Sequence, residues 1–373
     1  MAEQRVVLVD GVAGYWGGRV AERLLAEPDL HVLGLDTDPP RQGSGLDFVQ
    51  ADMRNPLLVE LLKAEHVETY VHLAFLESDR PNETAFEYNV MGAMKVLSAC
   101  AEAGVKQVIL KSSMQVYGAL PSNSAFLREE HPLNAKRNYG TLRDLVEVES
   151  FASAFRGQQP GVKLTILRFA HIIGPTVQTP LTRFLRDDAA PLLMGFDPVV
   201  QIIHEADVTN AIAHAAIYNV PGTYNVAASG AMPLYKLTGL AGKLPLPVLH
   251  PIAYLGESFL GPQFAAMDFD YFRYPCVGDL QRMRNELEFQ PAYTAEAAVR
   301  EFATLRKEIT VVPGLTPQEA EEERLRAIIE RRKRIREQAA AGGPVRQRPR
   351  GPVKPEAVAD AADSSLYEEK NHD

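Results

Sequence analysis

Three glycines near the start of the chain, Gly11, Gly14 and Gly17, have a spacing that can cradle phosphate groups. They follow a valine-rich segment, residues 5–10, that is typical of a strand buried on both faces, and they precede a segment with helical spacing. In that order the first glycine permits a tight turn, the second lets the backbone approach a pyrophosphate, and the third lets the helix lie close to the strand. The free N–H groups at the start of the helix would then face the phosphates. The sequence therefore predicts a dinucleotide site, the alternative being a glycine turn that binds nothing.

A carboxylate further along the chain bears on which dinucleotide is bound. Asp36 lies 19 residues after Gly17, at the end of the second predicted strand, where an acid accepts hydrogen bonds from the adenosine ribose hydroxyls. Its charge would repel a 2′-phosphate, so the sequence favours NAD over NADP. Arg41 is the nearby residue that could reverse this preference, and the alternative for Asp36 is that it only starts a turn.

The elements that must position these residues alternate between strand and helix over the first 175 residues. The predicted strands are 5–10, 31–36, 46–50, 70–74, 107–111 and 163–168, and the predicted helices are 15–26, 84–103 and 139–155. Repeated βα units predict an α/β fold with a Rossmann-type, doubly wound parallel sheet. A helix at 207–218 and a strand at 223–227 are expected to return to this sheet.

Four regions are expected along the chain. An NAD-binding domain should comprise residues 1–174 and 201–230, and a smaller substrate-binding region, residues 175–200 and 231–312, should close a cleft over the sheet. Thr316, Pro317 and Glu319 form a helix start, which predicts a charged helix at 316–341. Residues 342–373 are rich in Pro, Gly, Ala and charge, and we expect them to be disordered.

The composition excludes several classes of protein. The 373 residues are 46% hydrophobic and 23% charged, which is typical of a soluble globular protein, and the net charge of −9 makes nucleic acid an unlikely partner. The basic stretch at 331–354 leaves RNA contact as the weakest alternative. Cys100 and Cys276 are too few for a disulfide scaffold or a Cys₄ zinc site, and no metal is expected. The sequence has no run of 18 apolar residues and no signal peptide features, so we expect no membrane span and a cytoplasmic location.

Six short segments carry a more specific pattern. They are the glycine turn, Asp52-Met53, VHLAF at 71–75, NVMG at 89–92, KSSMQVYG at 111–118 and HEADV at 204–208. Over about residues 5–310 the chain resembles the extended short-chain dehydrogenases/reductases of the NAD-dependent epimerase/dehydratase type. The resemblance implies NAD as cofactor, with a binding site formed by Gly11, Gly14, Tyr15, Trp16, Gly17, Asp36, Asp52, Met53, Leu73, Ala74, Phe75, Asn89, Tyr139 and Arg143.

The resemblance also implies a catalytic group of one hydroxyl donor, one tyrosine and one cation. Ser113 would hydrogen-bond the substrate oxygen, and Tyr139 would move the substrate hydroxyl proton during hydride transfer. Since a tyrosine with an ordinary pKa of about 10 is a poor base at neutral pH, a fixed positive charge must lower its pKa. The family places a lysine four residues after the tyrosine for this purpose, where it also holds the nicotinamide ribose. This chain has Arg143 there, which keeps the charge without the compact ammonium shape. The alternative is a degenerate site in which Tyr139 and Arg143 are surface residues.

Two further departures concern the substrate. His171 stands where nucleotide-sugar epimerases usually have an asparagine, and Val200 stands where they often have an arginine that grasps the diphosphate. A buried diphosphate without a cation is costly, so an ordinary UDP-sugar is not expected unless Arg183 or Arg186 substitutes. His171 is either a substrate ligand or a hydrogen-bonded residue of the cleft wall.

We therefore expect an NAD-dependent oxidoreductase, epimerase or dehydratase that acts on a hydroxyl or keto group of a small polar, sugar-like molecule. The alternative is a non-catalytic NAD-binding sensor or assembly protein. Arg143 and Val200 favour this alternative, because both depart from the family pattern. The family commonly pairs through helices equivalent to 84–103 and 139–155, and the second of these is apolar on more than one face. A homodimer is therefore predicted.

Overall fold

The computed structural model describes residues 4–40, 45–186, 188–249 and 269–310, with side chains to residue 304. The chain divides into two units, Met1–Glu308 and Ile309–Asp373, and the description below concerns the first. Arg41, the predicted helix at 316–341 and the predicted tail at 342–373 lie outside the described residues.

A seven-stranded parallel sheet forms the centre of this unit. Seven strands form this sheet: β1 Arg5–Asp10, β2 Leu30–Asp36, β3 Asp47–Gln50, β4 Val67–His72, β5 Gln107–Ser113, β6 Lys163–Phe169 and β11 Gly222–Val226. The other strands in the described residues are β7 His171–Ile173, β8 Ala189–Leu193, β9 Val199–Val200, β10 Ile202–His204, β12 Met232–Pro233 and β13 Leu244–Val248. The order across the large sheet is β11-β6-β5-β4-β1-β2-β3, and every neighbouring pair is parallel. The predicted Rossmann-type fold is confirmed. The strand order reverses between β1 and β4, so a crevice opens at the carboxyl ends of these two strands.

Helices cover both faces of the sheet. They are α1 Tyr15–Leu24, α2 Leu58–Ala64, α3 Glu83–Phe86, α4 Gly92–Ala103, α5 Gly140–Gln158, α6 Pro180–Phe184, α7 Glu205–Tyr218, α8 Leu234–Leu240, α9 Gln281–Asn285 and α10 Ala295–Thr310. One hydrophobic core packs beneath α1 and α7, and a second packs beneath α2, α4 and α5. Each face of the parallel sheet is therefore buried, as the continuous valine and leucine runs of β1 and β5 require.

The predicted helix at 84–103 is present but is not uniform. A π-helical segment, Glu87–Met91, separates α3 from α4, and the helical run ends at Gly104, whose φ of 78° lies in the left-handed region. The predicted return of the chain after residue 206 is also confirmed, because α7 leads into β11, which pairs with β6 at the sheet edge.

Helix α5 has a simpler reason for its apolar faces than the dimer contact expected from sequence. Leu142, Leu145 and Val146 pack with Val116 and Ala135 in a small third core. Val148, Ala152 and Phe155 pack on the opposite side, in the core beneath the sheet. The apolar faces are thus covered largely by the same chain.

The remaining strands form three short ladders, β7 with β10, β8 with β13, and β9 with β12. Among the described residues, no helix is both long and apolar enough to cross a membrane.

Candidate active site

The glycine turn has a geometry that only glycine satisfies. Gly11 has a φ of +68°, and a Cβ there would lie 2.7 Å from the backbone nitrogen of Ala74. A Cβ on Gly17 would lie 2.1 Å from the carbonyl oxygen of Gly11, so the helix can approach the turn only without a side chain. Gly14 is the N-cap residue of α1, and no side chain caps the helix there. The N–H groups of the first helical turn are therefore available to an anion at the crevice.

A buried carboxylate fixes the strand end opposite this turn. Asp10 is 1% exposed and accepts hydrogen bonds from the backbone nitrogens of Leu73 at 2.5 Å and Ala74 at 2.8 Å. It also lies 2.6 Å from Nδ1 of His72. These contacts set the path of residues 73–75, which the resemblance places along the cofactor. Asp10 was not singled out from sequence, although an acid directly before the first glycine was visible there.

Asp36 lies beside the glycine turn, as expected. Its Oδ2 accepts a hydrogen bond from the backbone nitrogen of Ala13 at 2.9 Å, and its Oδ1 accepts one from Asp38 N at 3.2 Å. Asp36 is half-buried at the end of β2. This is where a ribose hydroxyl of a dinucleotide would meet it.

Two other residues expected to bind the cofactor make contacts within the protein. Asp52 pairs with Arg54 at 2.7 Å, and the hydrogen bond from that guanidinium lowers the pKa of the Asp52 carboxyl. Asn89 is fully buried; it accepts a hydrogen bond from Leu76 N at 2.7 Å and donates to Leu76 O at 2.9 Å. Its amide also donates to Asp144 at 2.8 Å. Asn89 therefore holds the segment after β4 in place and does not face the crevice.

A cavity of about 190 Å³ brings together four residues predicted from sequence. Ser113 reaches it from the end of β5, Tyr139 from the residue before α5, His171 from β7 and Arg183 from α6. Ser113 Oγ accepts a hydrogen bond from Gln115 N at 3.1 Å, which leaves its own proton to be donated. The hydroxyl donor and the tyrosine of the expected catalytic group thus share one cavity.

A buried polar network lies between α5 and the strands that carry Ser112 and Arg168. Arg168 on β6 pairs with Glu149 on α5 at 2.6 Å, and Ser112 donates a hydrogen bond to the same carboxylate at 2.5 Å. The network joins α5 to β5 and β6. The sequence carried a signal for it, namely an arginine and a glutamate at core positions of an apolar strand and helix, but it was not recognised.

Comparison with known proteins identifies the family of the chain. Residues 7–227 match the model of the NAD dependent epimerase/dehydratase family. The chain belongs to this family.

One relative is an uncharacterised protein of Mycobacterium tuberculosis, 32% identical over 84% of this chain and 85% of its own length. Among solved structures, UDP-glucose 4-epimerase of Thermotoga maritima, determined with UDP-glucose, covers 81% of this chain and 99% of its own, with a TM-score of 0.63 and 18% identity. The dTDP-glucose 4,6-dehydratase of Bacillus anthracis, in complex with NAD, covers 82% and 97%, with a TM-score of 0.61 and 19% identity. At these identities the two structures share the fold with this chain.

The cofactor of the family is NAD, and the residues around the crevice fit it. The uncapped start of α1 suits the pyrophosphate, the exposed Gly14 leaves room for it, and Asp36 suits the ribose. Trp16, Leu73, Ala74 and Phe75 line a second cavity of about 70 Å³ that adjoins the first. Tyr15 instead hydrogen-bonds Thr176 at 2.8 Å, and Met53 is buried beneath α4.

The Arg143 guanidinium contacts residues that line neither cavity. Its Nε donates to Asp144 at 3.0 Å, and a terminal nitrogen donates to the carbonyl oxygen of Asn82 at 3.0 Å. The guanidinium also lies 4.7 Å from the centre of the Phe86 ring. Asp144 is fully buried and needs a cation nearby, which draws Arg143 away from the cavities. Neither cavity is lined by Arg143, and its expected contact with the Tyr139 hydroxyl stays a prediction.

A different cation borders the site. Lys111 lines both cavities, and its Nζ lies 5.3 Å from the centre of the Trp16 ring. Burial lowers the pKa of its ammonium group, and the charge of Glu77 opposes this effect. Lys111 belongs to the family motif at 111–118, and no function was predicted for it from the sequence.

Of Val200, Arg183 and Arg186, the three residues considered for a diphosphate contact, Arg183 alone lines the larger cavity. Val200 is buried in β9, so it supplies no cation. Arg183 binds Asp79 with two nitrogens, at 2.7 and 3.2 Å, whereas Arg186 does not line the cavity. The His171 ring lies 5.6 Å from that of Tyr271, and burial lowers the pKa of His171 to about 4. His171 is therefore neutral at neutral pH.

Proposed function

We propose that this protein is an NAD-dependent oxidoreductase, epimerase or dehydratase that acts on a hydroxyl or keto group of a small polar, sugar-like molecule. The observation that carries the proposal is the meeting of Ser113 and Tyr139 in one cavity. That cavity adjoins a second one, which leads toward the glycine turn.

Each residue has a role that follows from its chemistry. Bound NAD supplies a hydride acceptor. Tyr139, as phenolate, takes the proton of the substrate hydroxyl as the carbon loses its hydride, and returns it when the keto group is reduced again. Ser113 donates a hydrogen bond to the same oxygen and holds it beside the tyrosine. This exchange is common to oxidation, epimerisation and the first step of a dehydration.

Arg183 bears on the substrate class. Since its guanidinium already binds Asp79, an anionic substrate would have to compete with a carboxylate of this chain for it. With Val200 in place of an arginine, we infer that a sugar carrying little negative charge fits better than a nucleoside diphosphate sugar.

Reduction of bound NAD tests the proposal. The protein is loaded with NAD, panels of free sugars, sugar phosphates and nucleotide sugars are added, and the absorbance of reduced nicotinamide is followed. Tyr139→Phe should abolish reduction and leave NAD affinity nearly unchanged, whereas Tyr218→Phe, at a residue 64% exposed, should change neither.

The second candidate is a non-catalytic NAD-binding protein. It is favoured by the position of Arg143, whose guanidinium is bound to Asp144 and Asn82. Tight NAD binding together with no reduction across all three panels would favour this candidate over the catalytic one.

A further inference from the structure

Lys111 stands at the junction of the two cavities. It lies two residues before Ser113 on β5, and side chains two apart on a strand point to the same face of the sheet. The larger cavity also contains Tyr139, and the smaller one contains Trp16 and Ala74. Lys111 therefore lies between the place of the reacting hydroxyl and the place where residues 73–75 would meet the cofactor.

The surroundings of Lys111 leave its ammonium group short of negative charge. A buried ammonium is costly unless an anion compensates it. Among the acidic and basic groups that line the two cavities, Asp79 is bound to Arg183, His72 is bound to Asp10, and His171 is held neutral. Tyr271, which also lines the larger cavity, donates its hydroxyl hydrogen to the carbonyl oxygen of Gln115 at 2.9 Å. The charge of Glu77 acts on Lys111, and Tyr139, which lines the same cavity, would add a second negative charge as a phenolate.

The alternative cation is engaged elsewhere. The contacts of Arg143 with Asp144, Asn82 and Phe86 satisfy a buried carboxylate and a carbonyl oxygen at the start of α3. Moving the guanidinium to Tyr139 would leave the Asp144 carboxylate, which is fully buried, without its cation.

We propose that Lys111, on β5, replaces the lysine that the family has one helical turn after the tyrosine. Lys111 holds the nicotinamide ribose and stabilises the Tyr139 phenolate, and Arg143 has a structural role. The proposal rests on the proposed function and names the cation of that site. The ammonium keeps its proton throughout the reaction. Phenolate and ammonium favour each other, because an opposite charge nearby stabilises the charged form of each group.

Two measurements that need no substrate test this role. One is the NAD dissociation constant by calorimetry. The other is the pH at which Tyr139 ionises, followed by NMR of the ¹³C-labelled phenol ring and assigned with Tyr139→Phe. Lys111→Met should weaken NAD roughly ten- to hundredfold, as loss of a hydrogen bond from a charged group does. It should also raise the pKa of the Tyr139 hydroxyl by about 1 to 3 pH units.

Three variants serve as comparisons. Lys163→Met removes an exposed lysine at the start of β6 and should change neither measurement. Arg143→Ala should leave both within about twofold of the native protein once its loss of stability is allowed for. Lys111→Met combined with Arg143→Lys restores the family arrangement and should recover part of both effects, which a purely structural role of Lys111 would not allow.

The opposite pattern would overturn the proposal. If Arg143→Ala shifts the Tyr139 ionisation and Lys111→Met does not, the arginine is the cation of the site. Where Lys111→Met fails to fold, Lys111→Gln keeps a polar side chain without the charge and must give the same two effects. Failure of the proposed function gives a different result. If Lys111→Met shows both effects but no tested substrate reduces bound NAD, the proposed function fails and the role of Lys111 stands. If the native protein turns over substrate and Lys111→Met does so equally fast, the role of Lys111 is rejected and the proposed function stands.

Discussion

Asp36→Asn should let this protein bind NADP nearly as well as NAD. The asparagine keeps an oxygen that can accept the hydrogen bond from Ala13 N, which is 2.9 Å long in the native protein, so the glycine turn should keep its shape. The change therefore removes the charge and the second acceptor oxygen, which faces Asp38 N at 3.2 Å, and it keeps the contact to the glycine turn. Asp36→Ala, in contrast, also removes that contact and should weaken both dinucleotides.

The size of the effect follows from the exposure of the carboxylate. Two unit charges about 4 Å apart repel by about 4 kcal/mol at an effective dielectric constant of about 20, and by about 1 kcal/mol in bulk water. Asp36 is half-buried at the rim of the crevice, so the penalty on a 2′-phosphate lies between these limits. It corresponds to roughly a 5- to 1000-fold preference for NAD, which Asp36→Asn should largely remove.

Calorimetric titration of both dinucleotides into the native protein and the variants measures this preference. Asp38→Asn is the matched control. It removes an equal charge from an exposed side chain that lies two residues after Asp36. An unchanged ratio of the two dissociation constants in Asp36→Asn would refute the reasoning, and so would a native protein that prefers NADP.

Three other predictions concern stability and assembly. Arg168→Met leaves Glu149 buried without its cation and should lower the free energy of unfolding, measured by denaturant titration, by about 3–5 kcal/mol. Adding Glu149→Leu should restore most of that free energy, and a double variant as unstable as Arg168→Met would contradict the prediction. Because burial holds the pKa of His171 at about 4, below the ordinary value of about 6.5, the folded state resists its protonation. Stability should therefore be full above about pH 6.5 and fall as the pH drops toward 4, and His171→Asn should flatten that slope if the ring is its source. The homodimer expected from the family should give twice the 41.1 kDa chain mass in light scattering. Met91 lies on the exposed rim of a groove beside α4, and Met91→Glu should yield monomers. A native protein with the mass of one chain would reject the dimer.

The sequence was sufficient for the fold and for the glycine turn with Asp36 beside it. The glycine turn and the acid at the end of β2 depend on one tight turn and on neighbouring parallel strands, which local patterns describe well. The meeting of Ser113, Tyr139 and His171 in one cavity could be expected only through the family resemblance, because these residues come from separate elements.

What the sequence could not supply was the use that each charged side chain finds after folding. Arg168, Glu149 and Asp10 occupy core positions, and their partners are distant in the chain, so periodicity alone cannot pair them. Asn89 shows the same limitation, since its amide is taken up by Leu76 and Asp144 and does not reach the crevice.

The exchange of cations at the site follows from this point. A tyrosine that acts as a base needs a positive charge near its oxygen, and it does not matter from which element the charge comes. The spacing of four residues in the family motif is one way to provide that charge from a helix. A lysine on β5, on the same face as Ser113, approaches from the sheet side, and it would free the helical position for a residue that neutralises Asp144. On this proposal, Arg143 and Lys111 are one coupled change, so restoring a lysine at position 143 should benefit the protein mainly when Lys111 has been removed.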